Sequence, residues 1–286
     1  MPLRTQLLAK SLFVLSALLL APNFIPVKVD YFKDATHGGE KFDPALAARL
    51  RSVNDVVSYT DSLATARSID PKSLSYGLLL TDVIQRRFEH GYSSYRLSQN
   101  WVASLAGSVK RDLAAVVIPD DILTFDNAAC SQQTMVLMEA LGRKGIDMRT
   151  VLFHTHFAVE ARYNGAWRLL DADVEPEMTA ATATDAASIS ATRDAFGVYD
   201  RVLSFPKFAN NFLNYPISYG AVNAKVATNT AAFHKLTKVA SRTAFLLPLL
   251  AGIVLLRRGR RRARAHARSG SVSTLTASGS TSALNP

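Results

Sequence analysis

The sequence predicts an α+β domain with N-terminal helices packed on an antiparallel sheet, flanked by two membrane segments. Three observations support this fold class. Helical periodicity dominates the first half of the chain, a β-rich stretch with one Asn-Gly turn follows at 146–176, and an apolar run lies near each end. At 286 residues, with 48% hydrophobic and 20% charged residues, the chain is long enough to bury a full core.

The two apolar runs are SLFVLSALLLA at 11–21 and TAFLLPLLAGIVLL at 243–256. The first follows Arg4 and Lys10, a pattern typical of a secretory signal or of a retained N-terminal anchor. The second precedes seven arginines within 257–268, which favours a transmembrane helix over a buried helix of a soluble domain. Positive charge on the outer side of both runs predicts cytoplasmic termini and a periplasmic or extracellular central domain.

The net charge of +10 does not indicate nucleic-acid binding, because those seven arginines account for most of it. The membrane is therefore the predicted partner of the basic segment. The expected domains are a signal peptide or anchor at 1–28, a helical part at 29–115, a catalytic core at 116–215, a linker at 216–238, a transmembrane helix at 239–256, and a basic cluster with a disordered tail at 257–286.

Helices are predicted at 43–63 and 70–91, because each begins with Asp-Pro and continues with apolar residues at helical spacing. A third helix is predicted at 97–109. The segment 130–145 also has helical spacing and ends in basic residues and Gly145, as the C-terminal end of a helix should.

The Asn164-Gly165 dipeptide predicts a β-hairpin with a two-residue type I′ turn. If Tyr163 pairs with Ala166, then His156, Ala158, Glu160, Trp167, Leu169, Asp171 and Asp173 share one face. On that face His156 and Asp171 are diagonal neighbours, within side-chain reach across the small Ala158. The opposite, apolar face is expected to pack on the core.

Cys130 is the single cysteine of the chain and stands at the start of the predicted helix at 130–145. A thiol at a helix N-terminus lies at the positive end of the dipole, which favours the thiolate. A nearby imidazole completes an ion pair, and a carboxylate fixes the imidazole's tautomer. The alternatives are an inert buried thiol and an intermolecular disulfide.

The stretches "CSQQTMVLMEALGRKGIDMRTV" and "HTHFAVEARYNGAWRLLDAD" resemble the core of the transglutaminase-like superfamily, the papain-fold group of cysteine acyl-transfer enzymes. The resemblance covers roughly residues 120–176, with a weaker echo at 95–107. It implies a papain-like core and a catalytic triad of Cys130, His156 and Asp171. It also implies attack on an amide or ester carbonyl of a protein or peptide-like substrate, without a cofactor.

Other residues near the triad leave alternatives open. His154 points to the same face as His156 and is an alternative base, and Asp173 is an alternative orienting carboxylate. Cys130, His154, His156 and Asp171 are also plausible zinc ligands, although their spacing is not specific and no metal is expected. The remaining histidines, His37, His90, His234 and His266, are interpreted as surface or packing residues.

The oxyanion of such a reaction needs hydrogen-bond donors. The backbone N–H of Cys130 is one candidate, and the resemblance suggests Trp101 or Gln99 as a second, although Trp101 is equally well explained as a helix anchor. Glu160 is expected to be a hairpin-face residue that helps to tune the site, or to pair with Arg149 or Arg162. The predicted function is a membrane-tethered cysteine hydrolase or acyl transferase; the alternative is an inactive binding module in an envelope or exopolysaccharide-related assembly.

Overall fold

The protein is described from a computed structural model, in which residues 3–32, 41–153, 156–174, 178–191 and 216–276 are described. In these residues it is an α+β protein with helices, an antiparallel sheet and two long apolar helices. The described residues divide into two compact units, one within Met1–Val27, Arg96–Val102 and Lys235–Pro286, the other within Lys28–Tyr95 and Ala103–His234. We call the first the apolar-helix unit and the second the central unit.

The N-terminal helices of the central unit are shorter than the sequence suggests. The segment 43–63 forms two helices, α2 (Pro44–Arg49) and α3 (Val53–Ala66), because the Ser52 hydroxyl accepts the backbone N–H of Asp55 and so caps a separate helix. The predicted helix at 70–91 is α4 (Leu74–Arg87), whose N-cap is Ser73. Both Asp-Pro helix predictions are therefore right in kind and wrong in extent.

Arg87, the last residue of α4, contacts the C-terminal end of α2. Its fully buried guanidinium donates to the carbonyl oxygens of Leu50, at 2.8 Å, and Leu123, at 2.7 Å. Burial lowers its pKa to about 10, which leaves the side chain charged at neutral pH. These hydrogen bonds join segments that are distant in the chain, so the local sequence does not reveal them.

The remaining elements of the central unit lead to the sheet. They are β1 (Glu89–His90), α5 (Leu97–Ala106, which runs into this unit from the other), α6 (Pro119–Ile122), β2 (Asn127–Ala128), α7 (Cys130–Arg143), β3 (Met148–Phe153), β4 (His156–Tyr163), β5 (Ala166–Leu170), α8 (Ala186–Ala191) and β6 (Ile217–Tyr219). Strands β1 and β2 pair in parallel, although Glu89 and His90 were expected to be helical.

Strands β3 to β6 form an antiparallel sheet in the order β5-β4-β3-β6. The predicted hairpin register is confirmed, because Tyr163 pairs with Ala166 and Val159 pairs with Leu170. Asn164 and Gly165 have φ values of 51° and 79°, as a type I′ turn requires. Strand β6 lies within the segment predicted as a linker, and its pairing with β3 makes that segment part of the sheet.

The sheet separates two apolar cores. Its predicted apolar face contributes Val159, Ala161, Leu170 and Ala172 to the main core with α3, α4 and α7. The other face packs Val151, Phe153, Ala158 and Leu169 against α8 in a smaller core. His156 and Asp171 are therefore enclosed by protein rather than presented on an open surface.

The apolar-helix unit contains α1 (Leu3–Leu20), all of α10 (Leu246–Thr276) and the larger part of α9 (Thr228–Thr243). The stretches Leu3–Phe24 and Thr228–Arg264 are long and apolar enough to cross a membrane. The second begins inside the predicted linker, because α9 is helical from Thr228. Residues 269–276 continue α10, although the sequence suggested a disordered tail there; residues 277–286 lie outside the described part of the chain.

Helices α1 and α10 pack against each other in opposite directions. The Ser16 hydroxyl donates to the carbonyl oxygen of Phe245 at 2.9 Å, whereas the Phe13 ring faces Gly252 further along α10. A Cβ atom at Gly252 would lie 3.2 Å from that ring, so the glycine allows the close approach. This antiparallel packing brings the basic N-terminal end of α1 to the same end of the helix pair as the arginines that follow residue 256.

Gly77 on α4 tests the packing between the helices and the sheet. A Cβ atom there would collide with the hydroxyl end of Tyr163 on β4, so we expect Gly77→Ala to reduce the free energy of unfolding by about 1–3 kcal/mol. Gly142→Ala is the matched control on α7, because its Cβ would meet only the flexible end of Met148. Denaturant unfolding in detergent measures both variants, and equal effects would contradict this packing.

Candidate active site

Cys130 is the first residue of α7, and only Ala129 separates it from strand β2. Gln132, which is buried, fixes this helix start: its Oε1 accepts the backbone N–H groups of Ser93 and Ala129, and its Nε2 donates to the carbonyl oxygens of Ser93 and Val116. One side chain thus joins the first turn of α7 to two preceding loops. This holds the Cys130 backbone in a fixed position while its side chain stays partly accessible.

The hairpin brings His156 and Asp171 together as the sequence predicts. His156 opens β4, Asp171 follows the end of β5, and the Nε2 to Oδ2 distance is 2.6 Å. Both side chains are buried, with exposed fractions of 3% and 0%. The other carboxylate oxygen, Oδ1, accepts the backbone N–H groups of Asp173 and Val174, at 3.1 Å each. The Asp171 carboxylate is therefore oriented on both sides.

The charges of this pair support each other. Burial works to lower the pKa of His156, but the Asp171 carboxylate and then Cys130 outweigh it, so that the pKa is raised well above its ordinary value. Burial likewise works to raise the pKa of Asp171, and His156 with two backbone N–H groups reverses the effect, leaving that pKa lowered. The imidazolium form of His156 is thus favoured at neutral pH.

Cys130 lies beside the imidazole on the side away from Asp171. The ligand atoms of Cys130, His156 and Asp173 lie within 4.8 Å of one another, and the Cys130 thiol forms a hydrogen bond with the His156 side chain. Because Nε2 contacts Asp171, the ring nitrogen that serves the thiol is Nδ1. The hydroxyl of Thr134, one turn into α7, donates to the carbonyl oxygen of Phe157 and ties the helix to β4 at this point.

Asp173 is the second carboxylate of the site and contacts residues that the sequence did not indicate. Its Oδ1 accepts from His90 Nδ1, at 2.7 Å, and from Gln133 Nε2, at 2.8 Å, while its Oδ2 lies 3.9 Å from His156 Nδ1. The interpretation of His90 as an ordinary surface or packing residue is therefore wrong. Gln133 had a detectable signal, because it follows Cys130 by three positions on one helix face.

Tyr92 also belongs to the site. Burial and then the charge of Cys130 raise the pKa of its phenol, while a hydrogen bond with the Ser131 side chain acts in the opposite direction. Its ring stacks on Phe32 with centroids 4.3 Å apart. A protonated phenol therefore lies next to the thiol and the first turn of α7, where it forms a hydrogen bond with the Ser131 side chain.

The predicted oxyanion donors have other contacts. The Trp101 indole donates its single N–H to the carbonyl oxygen of Ser241 at 3.0 Å, which corrects its assignment as an oxyanion donor and supports the anchor interpretation. Gln99 Oε1 accepts the backbone N–H of Arg96 at 3.0 Å, and its proposed role stays a prediction. Asn100 extends this network to Thr237 and Ser241 within the apolar-helix unit.

Several other sequence predictions can be compared with the structure. Glu160 pairs with Arg149, at 2.8 Å from Oε2 to Nε, as expected, and its Oε1 accepts the backbone N–H of Ala186 at the start of α8. His234 is a packing residue, bonded to the Leu113 carbonyl oxygen at 2.9 Å. His154 and His37 lie outside the described residues, as does the side chain of His266.

Comparison of the chain with models of known protein families, with curated proteins and with solved structures gave no match. The transglutaminase-like resemblance therefore stays an expectation, and the assignment of function depends on the geometry of the site.

The two carboxylates of the site should differ in their effect on the thiol. In Asp171→Asn, burial is no longer opposed by a charge at 2.6 Å, so the pKa of His156 should fall and the pH of half-maximal Cys130 alkylation should rise. Asp173→Asn should shift that pH less, because its Oδ2 lies 3.9 Å from the ring. The pH profile of iodoacetamide labelling measures both, and a larger shift for Asp173→Asn would contradict the assignment.

Proposed function

We propose that this protein is a membrane-tethered cysteine enzyme of the transglutaminase-like, papain-fold type, which acts on amide or ester carbonyls through a thioacyl intermediate. The observation that carries the proposal is the arrangement of three groups in order: a partly accessible thiol at a helix start, an imidazole beside it, and a buried carboxylate on the far ring nitrogen. This is the arrangement that nucleophilic cysteine catalysis needs.

The first half of the proposed reaction forms the thioacyl enzyme. The Cys130 thiolate attacks the carbonyl carbon, and the carbonyl π electrons move to oxygen to give a tetrahedral oxyanion. Collapse of this intermediate breaks the bond to the leaving group, which takes the proton from His156 Nδ1. Asp171 keeps the Nε2 proton in place throughout, so that Nδ1 is the nitrogen that exchanges protons.

The second half releases the acyl group. A water molecule, or an amine, gives a proton to His156 Nδ1 as it attacks the thioester carbon, and the bond to Sγ then breaks. With water the product is a carboxylic acid, and with an amine it is a new amide. The same residues serve both outcomes, so hydrolase and acyl transferase are two forms of one proposal.

The oxyanion has two candidate donors at the start of α7. The backbone N–H of Cys130 belongs to the first turn, whose N–H groups have no acceptor within the helix. The Tyr92 phenol lies beside Cys130 and Ser131, and its raised pKa keeps it protonated. Tyr92 therefore replaces Trp101 as the proposed side-chain donor.

We also propose that both apolar stretches, Leu3–Phe24 and Thr228–Arg264, cross the membrane. Both termini would then lie in the cytoplasm and the central unit outside. Large exposed apolar side chains concentrate on α1, α9 and α10, including Leu7, Leu18, Leu247 and Leu250. Antiparallel packing of α1 and α10 supports a same-side location for the two basic ends.

The enzyme proposal is tested by labelling with an electrophilic amide probe. Cys130→Ala should remove all covalent labelling and change the free energy of unfolding by no more than about 1–2 kcal/mol, since one small side chain is lost. His156→Ala should slow labelling by about 10²-fold or more, because the thiolate loses its partner and the reaction its base.

Glu139→Gln is the control, because it removes a partly exposed carboxylate of the same unit and should label at the wild-type rate. If wild-type Cys130 alkylates only as an ordinary thiol and His156→Ala does not change its rate, the enzyme proposal fails. The inactive binding module then takes its place.

The topology is tested with a reporter that is active only outside the cytoplasm. A fusion after residue 120 should be active and a fusion after residue 270 inactive, because positive charge retains the flanking segments inside. Activity of the fusion at 270, or inactivity of the fusion at 120, would contradict the proposed orientation.

Extraction tests the membrane attachment itself. High salt should leave the protein in the membrane, whereas detergent should release it, since apolar surface rather than charge holds it there.

A further inference from the structure

We propose that Cys130, His156 and Asp173 form a binding site for Zn²⁺, which occupies the active site reversibly and blocks the thiol. The ligand atoms of these three residues lie within 4.8 Å of one another. They are a thiolate, an imidazole and a carboxylate, the three ligand types that zinc prefers. The inference concerns the same residues as the proposed enzyme, but it requires only coordination and not acyl transfer.

The distances fit a tetrahedral ion after small side-chain movements. Zinc bonds of about 2.0–2.3 Å separate neighbouring ligand atoms by roughly 3.3–3.6 Å. Asp173 Oδ2 already lies 3.9 Å from His156 Nδ1. Cys130 is the least buried of the three, and rotation of its short side chain is the main adjustment.

The surrounding contacts are those that orient metal ligands. A ligating histidine usually donates its other ring N–H to a carboxylate, and His156 Nε2 does so to Asp171 at 2.6 Å. A ligating carboxylate is usually hydrogen-bonded as well, and Asp173 Oδ1 accepts from His90 and Gln133. Oδ2 is then the Asp173 atom that lies nearer to His156 Nδ1 and is suited to the metal.

The charge of the site also favours a cation. Two carboxylates lie in a largely buried space beside the thiol, with side-chain exposures of 0% for Asp171 and 4% for Asp173. A divalent ion bound to Sγ and Nδ1 would release to water the protons that these atoms carry. The partly exposed thiol leaves the fourth coordination position open to a water molecule.

Co²⁺ provides the test, because a cobalt–thiolate bond gives a near-ultraviolet charge-transfer band that does not depend on enzyme activity. The full-length, metal-free protein in detergent should develop this band with one equivalent of Co²⁺ and lose it when Zn²⁺ is added. Zn²⁺ should also protect Cys130 from iodoacetamide. Absence of the band, or alkylation that Zn²⁺ does not slow, would overturn the proposal.

Variants separate the ligands from their neighbours. Cys130→Ser, which preserves side-chain size, should abolish the band, and Asp173→Asn should weaken Co²⁺ affinity at least tenfold. Asp171→Asn should retain the band and lower the affinity less than Asp173→Asn does, because Asp171 only orients His156. Glu139→Gln, which removes a carboxylate paired with Arg143, should bind as the wild type does. Unchanged affinity in Asp173→Asn would overturn the assignment.

The two proposals fail separately. Labelling of metal-free protein by the amide probe tests the enzyme, and the cobalt band tests the metal site. A protein that labels but gives no band is an enzyme without this zinc site, whereas a protein that gives the band but does not label keeps the metal site alone.

Discussion

The contact between His156 Nε2 and Asp171 Oδ2 is the interaction on which the rest of the site depends. Burial of an imidazole favours its neutral form, and a neutral imidazole would not support a thiolate. The carboxylate at 2.6 Å reverses this preference. It does so without becoming neutral itself, because the backbone N–H groups of Asp173 and Val174 hold its second oxygen. The residues after β5 thus supply both the carboxylate and the backbone N–H groups that keep it ionised.

This contact requires two structural elements to be placed independently. The hairpin fixes His156 relative to Asp171, and the apolar face of the hairpin anchors both strands in the main core. Helix α7 places Cys130 through the four hydrogen bonds of Gln132, and Thr134 joins that helix to β4. The thiol and the imidazole therefore belong to different elements, and each is held by buried contacts rather than by a loop.

The sequence predicts this part of the site because its signals are local. Asn164-Gly165 fixes a turn and the two-residue period of a strand fixes the side-chain faces, so no contact between distant residues has to be known.

His90 could not be found in this way. Its position depends on the pairing of two-residue strands at 89–90 and 127–128, too short to leave a pattern, and β6 likewise meets β3 only after a long intervening segment. The contact of Arg87 with the C-terminal end of α2 could not be found locally either, because Arg87 is distant in sequence from Leu50.

Asp173 is the residue for which local and tertiary effects meet. Period two puts it on the correct face, but an additional carboxylate beside a thiolate would oppose the ionisation that catalysis needs. The structure turns one of its oxygens toward His90 and Gln133, so that much of its charge is engaged away from Sγ. The other oxygen, nearer to the imidazole, preserves a residual preference for positive charge. A proton on His156 satisfies that preference and the proposed divalent ion would satisfy it as well, so the proposed thiol reactivity and the proposed metal site depend on the same charged groups.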